Sequence, residues 1–195
     1  MATQVDICNM ALANIGAKGD IASIDEGSVE SRRCLTYYDN TRDIVLRDFH
    51  WNFATTFLAL SLSGTAVGDW SYSYAWPANC IKFRNIHPAT SGVKVKYEIV
   101  FDPASGSKYI NTDEEDAVGV YTYQVADELV FDELFVEAFA WKLAARLALP
   151  VTRSAQAMRE AERTYQLYLS NARATSADEE DPHTEALNDI SGSRA

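Results

Sequence analysis

The chain has 195 residues, of which 47% are hydrophobic, and a formal net charge of -11. That length allows one domain with a sizeable core, or one carrying a small subdomain, and the apolar content excludes a disordered chain. The negative charge opposes contact with nucleic-acid phosphates and anionic membranes, and no apolar run reaches the roughly 18 residues needed to cross a bilayer.

The opening "MATQVDICNM" has neither a basic region nor a long apolar core, so no secretory signal is expected. "VDICNMALANIGAKGD" predicts a first helix: Ile7, Cys8, Ala11, Leu12 and Ile15 recur at helical spacing, and Gly16 and Gly19 end it. "SIDEGSVESRRCLTYYDNTRDIVLRDFHW" predicts a long second helix. Ser28 is its N-cap with Ser31 at N3, and the capping box is imperfect because the glutamate stands at position 30. Leu35, Tyr38, Val45 and Phe49 form its apolar stripe, broken near Thr41 and Arg42. At its end stand Phe49, Trp51, Phe53 and Phe57, bulky side chains that bury large areas with few torsions to freeze.

From Leu58 onward the period becomes two. "YSYAWPANCIKFRNI", "VKVKYEIVF" and "KYINTDEEDAVGVYTYQVAD" read as short antiparallel strands, with "DPASG" as a turn. Helix returns in "FDELFVEAFAWKLAARLALP": Asp132 caps it, and Leu134, Ala138, Trp141, Ala145 and Ala148 make a stripe that Phe135, Phe139 and Leu143 broaden. Pro150 stops it. Ser154 then caps a fourth helix with the stripe Ala157, Ala161, Tyr165, Tyr168 and Ala172. The short link makes the last two helices antiparallel neighbours. Beyond Arg173 the chain has no stripe and reads as an extended or disordered tail. The fold class is therefore α+β: an antiparallel bundle of about four helices from residues 1–57 and 128–175, an inserted small antiparallel β lobe at 58–127, and a flexible or extended tail at 176–195.

Chemistry is hard to find along this pattern. His50, His87 and His183 belong to no metal-binding motif, and there is no nucleophile elbow, Walker loop or dinucleotide fingerprint. Cys8, Cys34 and Cys80 lack ligand spacing and read as structural thiols in a reducing compartment. No catalytic residue, cofactor or metal is expected. The aromatic run at 72–76 could stack a base or sugar, but no basic residue stands beside it, and cross-strand packing is the simpler reading. Residues 110–141 carry Asp113, Glu114, Glu115, Asp116, Asp127, Glu128, Asp132, Glu133 and Glu137 and no Lys or Arg.

Several stretches taken together, "DICNMALANIGA", "LRDFHWNFAT", "YAWPANCIKFRNI" and "YTYQVADELVFDELFVEAFAWKLAARLALPVTRSAQAMREAERTYQLYLSNARA", resemble the tail tubular protein A family, the head-to-tail adaptors of short-tailed bacteriophages and related prophages. The likeness spans about residues 4–180 and lies in the ordered set more than in any one motif; the 72–76 run and the acidic tail follow no pattern of that family. It implies a non-enzymatic virion protein, made in the host bacterial cytoplasm, with a helical bundle and an inserted β lobe. It implies a cyclic homo-oligomeric ring of about twelve subunits beneath the portal protein, joined to the tail nozzle protein and leaving a passage for DNA without binding it specifically. Its implied partners include no membrane.

On that reading Phe49, Trp51, Phe53 and Phe57 anchor the lobe junction, with Val45 and Phe49 facing the bundle and Trp51 and Phe53 wedged between the lobes. Leu187 and Ile190 are the apolar anchors of the tail and, with Tyr165 and Tyr168, the candidate portal contacts. Asp113, Glu114, Glu115 and Asp116 either face the DNA passage or form an outward solvated loop, since charge alone does not say which face points inward. The alternatives are a virion-associated cell-wall-degrading enzyme using Glu30, Asp113 or Glu114, and a carbohydrate- or peptide-binding module using the 72–76 aromatics.

Overall fold

Helices begin and end where the sequence supplies hydrogen-bonding caps, as a computed structural model describing residues 2–64, 68–87 and 94–179 shows in detail. Helix α1 (Gln4–Asn14) opens with a reciprocal box: Thr3 Oγ1 accepts from the Asp6 N–H at 3.2 Å and Asp6 Oδ2 accepts from the Thr3 N–H at 2.9 Å. The Thr3 N–H and the Thr3 hydroxyl, which donates to Asp6 Oδ2 at 2.7 Å, together hold the Asp6 carboxyl below its ordinary range. The helix closes with Gly16 N–H on Ala13 O and Ala17 N–H on Leu12 O, which needs a left-handed residue between them; Gly16 supplies it at φ 67°. Asn9 then grips both backbone groups of Ile21, at 2.8 and 2.9 Å, and pins the following connection to α1.

Helix α2 (Val29–Asp48) starts with Ser28 Oγ accepting from Ser31 N–H at 3.0 Å. Its buried face differs from the expected stripe. Tyr38 and Val45 are buried, but Leu35 is 54% exposed, and the face runs through Ser31, Cys34, Thr41 and Arg42 instead. Thr41 and Arg42 therefore do not break the buried face; they belong to it because their polar atoms are satisfied. Thr41 Oγ1 donates to Tyr37 O at 2.6 Å, and the Arg42 guanidinium pairs with Asp39 and Asp43, each at 3.0 Å. Phe49 lies just past the helix end.

Helix α3 (Glu133–Leu147) is capped by Asp132 Oδ1 on Leu134 N–H at 2.8 Å. Its most buried line is Phe135, Phe139, Leu143 and Leu147, while Leu134 stays 36% exposed. Each fully buried Phe or Leu contributes about 1.5–3 kcal/mol. Phe139 packs on Tyr38 of α2, ring centroids 4.8 Å apart. A π-helical turn, Ala148–Thr152, takes in Pro150 and ends at Arg153 with φ 57°. Helix α4 (Ala155–Glu179) begins with Ser154 Oγ on Ala157 N–H at 3.1 Å and packs on α3. Alanines on both helices, among them Ala138, Ala145 and Ala161, let the backbones approach closely. The helix runs past residue 175, so 176–179 are helical and not part of a tail; residues 180–195 lie outside the described residues.

Strands β1 (Thr55–Ala59), β6 (Val118–Tyr123) and β3 (Cys80–His87) form one antiparallel sheet in the order β1-β6-β3. Strands β2 (Tyr72–Ala75), β5 (Ser107–Thr112) and β4 (Tyr97–Asp102) form a second, in the order β2-β5-β4. Side chains from both sheets share one apolar cluster of Tyr74, Phe83, Ile86, Ile110, Ala117 and Tyr121. Gly119 is required there: a Cβ would stand 2.7 Å from Leu60 Cδ2 and 2.8 Å from Phe83 Cε2. The architecture is α+β, with four helices and two small antiparallel sheets among the described residues.

The chain divides into two compact units, Met1–Val45 with the part from Phe131 onward, and Leu46–Val130. Residues 46–57, expected in the helical part, group with the strands, because β1 already begins at Thr55 and Arg84 of β3 holds the backbone at 46–49.

Candidate functional site

The aromatic stretch after α2 is built around one buried indole. Trp51 is 3% exposed, with Phe49 edge-on at 4.8 Å and Phe53 tilted at 6.3 Å. A 3-10 turn, Asn52–Ala54, then feeds β1, and Trp51 O accepts from Ala54 N–H and Thr55 Oγ1. Phe57 does not share this burial. It sits on the edge strand β1, 60% exposed, against the exposed His87 ring, and the next residue, Leu58, is exposed as well. It is therefore not a buried anchor.

Behind this stretch stands Arg84, which no sequence signal singled out. Its guanidinium donates to Phe49 O at 2.6 Å and Thr122 Oγ1 at 2.9 Å, with longer contacts at 3.4 Å to Leu46 O and Arg47 O. A cation placed on the last carbonyls of a helix satisfies orphan acceptors and the negative end of its dipole. Arg47 in turn donates to Ile81 O at 2.9 Å. Burial and the neighbouring Arg47 lower the Arg84 pKa, and burial with Arg84 and Arg47 lowers that of Lys82. A compact basic cluster therefore sits at one end of β3 in a chain of negative net charge.

The acidic turn between β5 and β6 lies at the other end of β6. Asp113 is committed to structure: its Oδ1 accepts from Ser71 N–H at 3.0 Å and Ser71 Oγ at 2.9 Å. The buried Tyr74 hydroxyl donates to Glu114 O at 3.0 Å and accepts from Ala117 N–H at 3.3 Å. Asp116 takes a left-handed φ of 52°, tolerable for aspartate. The exposed carboxylates of Glu115 and Asp116 stand nearby; burial first, then the Glu115 carboxylate, raises the Tyr72 phenol above its usual pKa.

The other expected site residues are dispersed. Tyr165 is fully buried under Lys142, whose Nζ lies 4.7 Å from the ring centre, so it is a core residue and offers no surface to a partner; Tyr168 is half-buried. Leu187 and Ile190 lie outside the described residues. In the 72–76 run, Tyr74 is 1% exposed and packs in the cluster, while Lys108 Nζ sits 5.2 Å over the Trp76 ring, a cation that spacing along the chain did not reveal. Glu30 stands in the first turn of α2 and Asp113 and Glu114 in the β5–β6 turn, in different units. Among the described residues no three His, Cys, Asp or Glu side chains are grouped as metal ligands. Cys8 and Cys34 are buried in hydrogen-bond contact, which lowers the Cys34 pKa, whereas burial pushes Cys80 up to about 12. No helix among the described residues is long and apolar enough to cross a membrane. Comparison with protein-family models and with curated proteins returned no match.

Proposed function

We propose that this protein is a structural virion component, a head-to-tail adaptor whose copies form a ring between portal and tail nozzle and leave a passage for DNA. The observation that carries the reading is the ordered resemblance over about residues 4–180, from "DICNMALANIGA" to the long "YTYQVADELVF" stretch that leads from β6 into α3. The α+β architecture, helices interrupted by a strand-built unit, agrees with the one the resemblance implies. The β unit also leaves apolar side chains on its edge strands: Phe57 and Leu58 on β1, Ile99 and Phe101 on β4. Edge strands with exposed apolar residues suit contact with another protein, since their backbone groups and side chains are both open to pairing. In the ring, part of the acidic turn faces the passage, where carboxylates repel phosphates and keep the duplex from adhering.

Electron microscopy of the protein mixed with portal rings tests this. A defined ring added to the portal supports the adaptor. A bare portal, together with peptidoglycan turnover that a single carboxylate substitution abolishes, overturns it in favour of a cell-wall-degrading enzyme.

A further inference from the structure

A groove of about 490 Å³ opens in the helical unit, between α2, α3 and α4. Its floor is apolar, formed by Ile44, Ala145, Leu149 and Met158, and Leu149 is 47% exposed. Its rim is basic: Lys142, Arg146 and Arg159 stand against the single acid Glu162. Lys142 is held by Glu162 at 2.7 Å and Arg146 by Asn40 at 2.6 Å. Arg159 makes no hydrogen bond or ion pair among the described residues. An apolar floor under a rim of net positive charge recognises an acidic segment with apolar anchors.

The chain contains such a segment. In residues 185–190, Leu187 and Ile190 supply apolar anchors, and Glu185 and Asp189 supply negative charge. We propose that the groove of one copy receives residues 185–190 of a second copy, strapping neighbouring subunits together; this rests on the self-association proposed above. Chain length favours the second copy over the first. Glu162 lies 17 residues before Glu179, roughly 26 Å back along α4 at a rise of 1.5 Å per residue. Residues 180–187 span at most roughly 26–29 Å when fully extended. Returning to its own groove would leave no length to reverse direction after the helix, whereas a neighbour's groove sets no such limit.

The test uses the full chain with p-benzoylphenylalanine replacing Leu187, mixed at high concentration with a uniformly 15N-labelled full chain. After irradiation, adducts are mapped by mass spectrometry, and the oligomeric state is followed by sedimentation. Light-to-heavy adducts on Leu149 or Met158 are expected. Arg159→Glu in the acceptor chain should cut their yield about tenfold, the effect of a like charge at the contact, and Asp189→Lys in the donor should restore it. Circular dichroism checks that both variants keep their helices. Adducts confined to one copy, or an oligomer cross-linked elsewhere, overturn the groove assignment alone. A monomer without light-to-heavy adducts overturns the strap, while a ring that still forms on the portal would leave the adaptor reading standing.

Discussion

Arg84→Met removes a donor array while keeping most of an apolar stem. Two short bonds are lost, to Phe49 O at 2.6 Å and to Thr122 Oγ1 at 2.9 Å. Bonds from a charged donor contribute about 1.5–3 kcal/mol each, and the two contacts at 3.4 Å add little. Some of the released carbonyls will find water, because Arg84 is only half-buried, so a net loss of about 2–4 kcal/mol is expected. Arg84→Lys keeps the charge, but its ammonium is a point donor that cannot serve the helix end and Thr122 together, and about half the loss is expected. The assay is urea unfolding followed by tryptophan fluorescence. Of the four tryptophans, Trp51, Trp70 and Trp76 lie in the unit that holds Arg84, so the signal reports on that unit. With a slope of about 2 kcal/mol per M, the midpoint of Arg84→Met should fall by about 1–2 M. A change below about 0.5 kcal/mol, or Arg84→Lys matching the parent, would refute a role for the fork geometry.

Trp51→Ala deletes the buried indole between Phe49 and Phe53 and should cost about 3–5 kcal/mol; unchanged thermal stability would contradict its burial. Cys80, its thiol pushed up to about 12 by burial, should alkylate with iodoacetamide at pH 8 about three orders of magnitude more slowly than a free cysteine. Rapid labelling mapped to Cys80 in the folded protein would show that the thiol is open. Glu114→Lys with Glu115→Lys spares the Asp113 bonds to Ser71 and the left-handed Asp116, and on the adaptor function proposed above should slow genome ejection from normally assembled virions. Unchanged ejection would place the turn away from the passage.

Local chemistry was legible in the sequence wherever a few neighbouring residues decide the outcome. Asp132, Ser154 and Ser28 cap the helices they were expected to cap, because an N-cap needs only its own next three residues. The "DPASG" turn is held by Asp102 on Ala104 and Ser105, with Gly106 at φ 68°. Ile7, Cys8, Ala11 and Leu12 are buried as their spacing predicts. Tertiary structure alone decided which of two plausible helix faces is buried. On α2 that choice exposed Leu35 and buried Arg42, since an apolar count cannot see that Asp39 and Asp43 neutralise the guanidinium. It also joined Lys108 to Trp76 across the β2–β5 pair. The partition of six strands into two sheets, the need for glycine at 119 and the reach of Arg84 to residues 46–49 rest on contacts dozens of positions apart in the chain. Periodicity is a local signal and says which residues could face a neighbour; only the packed chain selects the neighbour, and with it the groove, the basic cluster and the acidic turn.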